Sequence, residues 1–231
     1  MLIGGLQKLS LIDYPDKVAA VVFTKGCLFR CPFCHNPDLV LHEREVPDLF
    51  EETKEYLKKH HEFLDGVCIT GGEPTIHKDL PEFIDFVKGL GLSVKLDTNG
   101  VTPKMVEKFL KEKSIDYVAM DIKHTWDKYD SIANLAPDKK DFVARCKETF
   151  RMVQDSGIAH EWRTTVLPGY HTDDDFLEMA SQMKPGESYY IQDISYAVTL
   201  NQGLDNTKPS DAKGIASKLR VKYPGLFVGT R

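Results

Sequence analysis

Gly66-Val67-Cys68-Ile69-Thr70-Gly71-Gly72-Glu73-Pro74 is a short β-branched run that breaks at glycines and a proline, and an amphipathic segment, Leu80–Gly89, follows it. Strand, polar turn and helix form the unit of a parallel sheet, because a parallel crossover needs a long, usually helical, connection. The unit recurs along the chain. Runs at Val18–Thr24, Ser93–Asp97, Tyr117–Asp121, Glu161–Val166 and Tyr189–Asp193 join Gly66–Thr70 to give six predicted strands. Helical patterns accompany them at Pro47–Lys59, Pro103–Lys111, Asp138–Asp155 and Asp173–Lys184, with a last helix at Asp211–Lys222 and a brief strand at Leu226–Val228. Right-handed crossovers leave a doubly wound sheet and a partial or full barrel open. Either architecture brings ligands to the carboxyl ends of the strands.

The 231 residues, 42% hydrophobic and 28% charged, suit one α/β domain over residues 1–231, with no repeat or linker to divide it. A motif-bearing core of about 17–195 and a C-terminal extension of about 203–231 are the expected parts. The net charge of −5 speaks against a nucleic-acid partner. No apolar run reaches the roughly 18 residues that span a bilayer. Met1–Leu6 lacks a basic segment followed by an apolar one, so a cytoplasmic protein is expected.

Five cysteines without an export signal argue against a disulfide framework. Three of them fall in Lys25-Gly26-Cys27-Leu28-Phe29-Arg30-Cys31-Pro32-Phe33-Cys34-His35-Asn36, just after the first predicted strand. Several readings compete. A loop rich in Gly, Pro, Arg and His is a poor place for three buried apolar cysteines. Cys31-Pro32-Phe33-Cys34-His35 fits covalent haem attachment, and Cys31 with Cys34 fits a dithiol pair, yet both leave Cys27 unused. A structural zinc wants four ligands in two pairs, and Cys68 is the one plausible fourth thiol. Three thiolates in one tight loop are better matched to a cubane 4Fe–4S cluster with three irons held and one open. The open iron then needs a ligand that chelates through an amine and a carboxylate. Cys68, inside a strand, and Cys146, on a helix, read as structural.

Cys-x3-Cys-x-aromatic-Cys, carried by Cys27, Cys31, Phe33 and Cys34, resembles the signature of the radical S-adenosylmethionine (SAM) enzymes. The resemblance implies a partial (β/α)6 barrel of parallel strands, with Cys27, Cys31 and Cys34 as the metal ligands. It also implies SAM on the open iron, with Phe33, Cys34 and His35 beside it. Thr70-Gly71-Gly72-Glu73-Pro74 alone is an ordinary strand-to-helix turn. Beside the cysteines it resembles the family's second motif, which implies that Gly71, Gly72, Glu73 and Pro74 bind the SAM amino group.

Two further strand ends, Asp97-Thr98-Asn99-Gly100 and Asp121-Ile122-Lys123-His124, would pass as solvated turns in isolation. Together they resemble the subgroup that activates glycyl radical enzymes. That resemblance implies cofactor contacts from Asp97, Thr98, Asn99, Asp121, Ile122 and Lys123, including a monovalent cation held by the aspartates. Arg163, on an otherwise apolar strand before Pro168-Gly169, needs an anion, and a SAM carboxylate would serve. Leu9-Ser10-Leu11-Ile12-Asp13-Tyr14-Pro15 and Cys34-His35-Asn36-Pro37 resemble the activating proteins of anaerobic ribonucleotide reductase. No histidine follows His171, which leaves Gln192 and Asp193 as sixth-strand candidates. His124, beside Lys123, is a further pocket candidate, and His60-His61 reads as a solvated helix end.

The implied chemistry begins with an electron from a flavodoxin or ferredoxin. The reduced cluster passes it to the sulfonium, the carbon–sulfur bond breaks, and methionine and a 5′-deoxyadenosyl radical result. The radical removes a hydrogen atom from a glycine Cα of a partner, such as an anaerobic ribonucleotide reductase. Two alternatives stand beside it: a radical SAM enzyme for a small molecule, of the 7-carboxy-7-deazaguanine synthase kind, and a non-catalytic metal-binding module.

Overall fold

The computed structural model describes residues 1–41, 45–135 and 141–231. Eight strands form one sheet in the order of the chain: β1 (Ile3–Ser10), β2 (Ala19–Thr24), β3 (Gly66–Gly71), β4 (Ser93–Thr98), β5 (Tyr117–Asp121), β6 (Ala159–Val166), β7 (Ser188–Asp193) and β8 (Phe227–Thr230). From β2 to β8 every neighbouring pair is parallel. A doubly wound sheet would reverse direction at a switch point. This sheet never does, so it curls as an open barrel whose end strands, β1 and β8, are not paired to each other.

Among the described residues, eight α-helices connect or flank the strands: α1 (Pro37–Leu41), α2 (Phe50–His60), α3 (Leu80–Gly89), α4 (Pro103–Glu112), α5 (Tyr129–Ala133), α6 (Asp141–Ser156), α7 (Asp173–Ala180) and α8 (Ala212–Lys222). Local chemistry sets their ends. Thr172 and Asp175 form a reciprocal capping box on α7, and Lys113 closes α4 in the left-handed conformation. Leu80, Phe83, Ile84 and Val87 are the buried face of α3, each contributing about 2 kcal/mol through burial.

Most predicted elements lie within a few residues of their places. Asp138, Lys139 and Lys140 of the helix expected at Asp138–Asp155 lie outside the described residues. β1 is an unpredicted element. It pairs antiparallel with β2 at the sheet edge and exposes Gln7, Lys8 and Leu9, so it lacks the alternation that marks a half-buried strand. Within the segment after Gly203, β8 pairs with β7 and α8 packs beside both strands.

Alternation divides each strand between two environments. On β4, Val94 and Leu96 are fully buried in the apolar core that meets the helices. Lys95 and Asp97, one residue out of phase, are also buried and form an ion pair. Parallel sheets covered on both faces are usually apolar throughout. Here charged groups are concentrated on the concave face.

Candidate active site

A cavity of about 220 Å3 opens at the carboxyl ends of the strands. One wall is the loop after β2, which supplies Cys27, Phe29, Cys31, Phe33, Cys34, His35 and Asn36. The loop is held by its backbone. Gly26 N–H donates to Leu39 O at 2.7 Å, Arg30 N–H to Ala133 O at 3.0 Å, and Cys34 N–H back to Cys31 O at 3.1 Å. The Arg30 guanidinium donates to the carbonyls of Cys27 (2.7 Å) and Phe29 (2.8 Å), which fixes the curve that brings the cysteines round.

The glycines of the second motif serve this loop. Glu73 N–H donates to Gly26 O at 2.8 Å, and a Cβ on Gly72 would lie 2.0 Å from that same oxygen. Gly71 has φ +109, and its Cβ would meet Thr24 N at 2.4 Å. Glycine is required because the β2 and β3 ends touch backbone to backbone. The Glu73 side chain is 1% exposed and is fully engaged. Its Oε1 accepts from the hydroxyls of Thr75 (2.5 Å) and Thr98 (2.7 Å), and Oε2 from Asn99 N–H (2.7 Å). Burial raises its pKa, and these donors oppose the rise. Glu73 thereby ties the end of β3 to the end of β4.

Opposite the cysteines lies a charge network. Arg163 donates to Asp97 and Asp121 at 2.8 Å each, Lys123 to Asp121 at 3.0 Å, and Lys95 to Asp97 at 2.5 Å. The anion expected beside Arg163 is thus supplied by two carboxylates of the chain itself. Lys123 Nζ also lies 5.4 Å from the centre of the Phe33 ring, a cation–π contact joining the network to the cysteine loop.

Of the predicted residues, Pro74 and Ile122 do not line the cavity. Pro74 opens a 3-10 turn, and Ile122 alternates into the core while its N–H donates to Arg163 O at 2.8 Å. Gln192 lines the cavity, but Asp193 turns away to accept from Ser210 (2.7 Å) and Ala212 N–H (3.0 Å). His124 is buried outside it, ring to ring with His171. Phe29, Asn36, Val40, Thr70 and Thr165 line the cavity without having been foreseen. Asn36 sits in the quoted Cys34-His35-Asn36-Pro37 stretch, and its amide donates to Gly71 O at 3.3 Å. The buried Lys95 was also missed. Its carboxylate partner two residues on was the available signal.

Burial pushes the Cys27 thiol up to about 12 and the Cys31 thiol up to about 11. Binding of a metal must therefore release their protons. Among the described residues no three His, Cys, Asp or Glu side chains converge as donors for a single ion. Three soft sulfur donors spread along one wall fit a cluster, which presents a separate iron to each. Cys68 and Cys146 do not line the cavity. Cys68 lies on the concave face, 3.7 Å from Lys95 Nζ, and Cys146 is buried on α6.

Comparison with known proteins agrees with this arrangement. The model of the Radical SAM superfamily matches residues 21–183. A Methanocaldococcus jannaschii protein, provisionally named a glycyl-radical enzyme activating enzyme, is 35% identical over 195 residues, 83% of this chain and 79% of its own. The pyruvate formate-lyase-activating enzyme of Listeria monocytogenes is 32% identical over 131 residues, and the match spans 52% of either chain. In fold, the chain resembles a radical SAM methyltransferase from Sphaerobacter thermophilus, with a TM-score of 0.64 at 16% identity, covering 96% of this chain and 68% of that one. Among the described residues no helix is long and apolar enough to cross a membrane. With its cysteine loop and strand-end motifs gathered at one cavity, the chain belongs to the radical SAM superfamily of enzymes, which implies a 4Fe–4S cluster and SAM as its cofactors.

Proposed function

We propose that this chain activates a glycyl radical enzyme, with an anaerobic ribonucleotide reductase as the partner and a flavodoxin or ferredoxin as the electron donor. The observation that carries the reading is the meeting, across one cavity, of three cysteine thiols and the Asp97–Arg163–Asp121–Lys123 network. Cys27, Cys31 and Cys34 would hold the cluster. When bound, the cluster and SAM would supply the radical chemistry needed to remove a hydrogen atom from a glycine Cα. The residues of this chain bind and align. Gly71 and Gly72 offer backbone at the edge of the site, Phe33 and His35 line it, and Lys123 and Arg163 draw a carboxylate toward a network of three cations and two carboxylates. Thr165 and Gln192 line the side formed by β6 and β7.

A monovalent cation would use oxygens of Asp97, Thr98 and Asp121. Side-chain cations already face both aspartates, so an ion would bind by displacing Lys123 from Asp121. Retained Lys123 contacts and unchanged SAM affinity in sodium, potassium and choline salts would remove the ion from the reading.

The decisive experiment is anaerobic reconstitution with iron and sulfide, followed by reduction with SAM. Release of 5′-deoxyadenosine and a glycyl signal in electron paramagnetic resonance, formed with a glycyl radical protein encoded nearby, are expected. SAM cleavage without a glycyl signal would transfer the chain to small-molecule chemistry. Tightly bound zinc without cleavage would reduce it to a metal-binding module.

A further inference from the structure

Cys27 accepts two N–H donors at its sulfur. Phe29 N–H is 3.4 Å away within the loop, and Asn99 Nδ2 reaches across from the end of β4 to 3.7 Å. The Asn99 carboxamide has one possible orientation. Its Oδ1 accepts from Val101 N–H at 3.0 Å, so the amide nitrogen must face the sulfur. The Asn99 main chain is anchored as well, because its N–H donates to Glu73 Oε2 at 2.7 Å. Thr98 and Thr75 hold the other Glu73 oxygen. Asn99 is 6% exposed, so little solvent competes for the contact.

We propose that Asn99 is a positioning residue for the cluster, setting its reduction potential through the Cys27 sulfur. This rests on the proposed cluster ligation by Cys27. An N–H donor withdraws charge from a ligating sulfur and favours the reduced, more negative cluster, so it raises the potential. The Glu73 carboxylate supports the contact, because it fixes the strand end from which the donor projects.

The test is a redox titration of the reconstituted protein monitored by electron paramagnetic resonance, comparing the wild type with Asn99→Ser. Serine keeps an oxygen for Val101 N–H and is too short to reach the sulfur. A shift of the midpoint to more negative potential at unchanged iron content is expected, and an unchanged midpoint overturns the proposal. A second measurement needs no Asn99 variant. Pulsed resonance of the reduced cluster in protein carrying 15N in its asparagine amides should show a nitrogen coupling that survives in Asn36→Ser. Absence of that coupling also overturns it. A wild-type chain that assembles no cluster would instead sink the functional reading on which the inference rests.

Discussion

Arg163 on β6 donates to Asp97 on β4 at 2.8 Å, although β5 runs between the two strands. The contact is possible because the sheet curls, so inner side chains from alternate strands approach over the middle one. Nε of the same guanidinium reaches Asp121 on that middle strand at 2.8 Å. Burial alone would raise both carboxyls. Arg163 and Lys95 at Asp97, and Arg163 and Lys123 at Asp121, together outweigh it, and both are held below the usual carboxylate range. One side chain thus positions acidic groups from two strand ends facing the cavity.

Replacing Arg163 by Met should cost about 3–5 kcal/mol, because two buried carboxylates lose their shared cation. Urea unfolding of the variant measures it. A loss below about 1 kcal/mol would mean that Lys95 and Lys123 suffice to hold the aspartates.

Cys31→Ala should abolish iron binding and the visible absorption of the reconstituted protein. Cys68→Ala and Cys146→Ala should keep full iron content and lose only about 1 kcal/mol of stability from the small cavity each leaves. Iron and sulfide assays on the three variants decide the ligand set.

Gly72→Ala drives a methyl group against Gly26 O, a backbone atom that cannot swing aside. It should cost about 3 kcal/mol and displace the cysteine loop, lowering cluster occupancy with it. Gly89, at the end of α3, has nothing within 4 Å of an added Cβ. Gly89→Ala should raise stability by about 0.5 kcal/mol. Thermal unfolding of the pair separates packing from backbone entropy.

The pH dependence of stability should fall on the acid side. His171 accepts from Leu167 N–H at 3.0 Å through Nδ1, and its Nε2–H donates to Lys123 O at 2.9 Å. The bond at Nδ1 requires the neutral ring, whereas the Nε2–H donor survives protonation, and burial lowers the ring's pKa from 6.5 to about 4. A lowered folded-state pKa means that the unfolded chain binds the proton first. The contribution is therefore present above pH 6.5 and is lost as pH falls toward 4. Asp97 and Asp121, also lowered, extend the loss below the ordinary carboxylate range. His171→Gln should flatten the stability profile through the upper part of this window, as read by denaturant midpoints at stepped pH.

Much of this molecule is local in origin. The spacing of Cys27, Cys31 and Cys34, the glycines after Thr70 and the alternation of β-branched runs with amphipathic ones are properties of neighbouring residues, and they carry the family, the parallel sheet and most of the cavity lining. β1 escaped because an exposed edge strand bears no periodic signal. Barrel rather than doubly wound sheet was likewise undecidable from periodicity, since strand order is a relation among distant segments. The tertiary structure alone decided which charges pair. Lys95 is an ordinary lysine until a curled sheet buries it against Asp97 and Cys68, and Arg163 finds carboxylates two strands away only when β4, β5 and β6 share one concave face. It also turned Glu73 from an acceptor awaiting a ligand into a tie between strand ends. Side-chain partners of this kind depend on burial and direction at long sequence separation, and no run of adjacent residues encodes them.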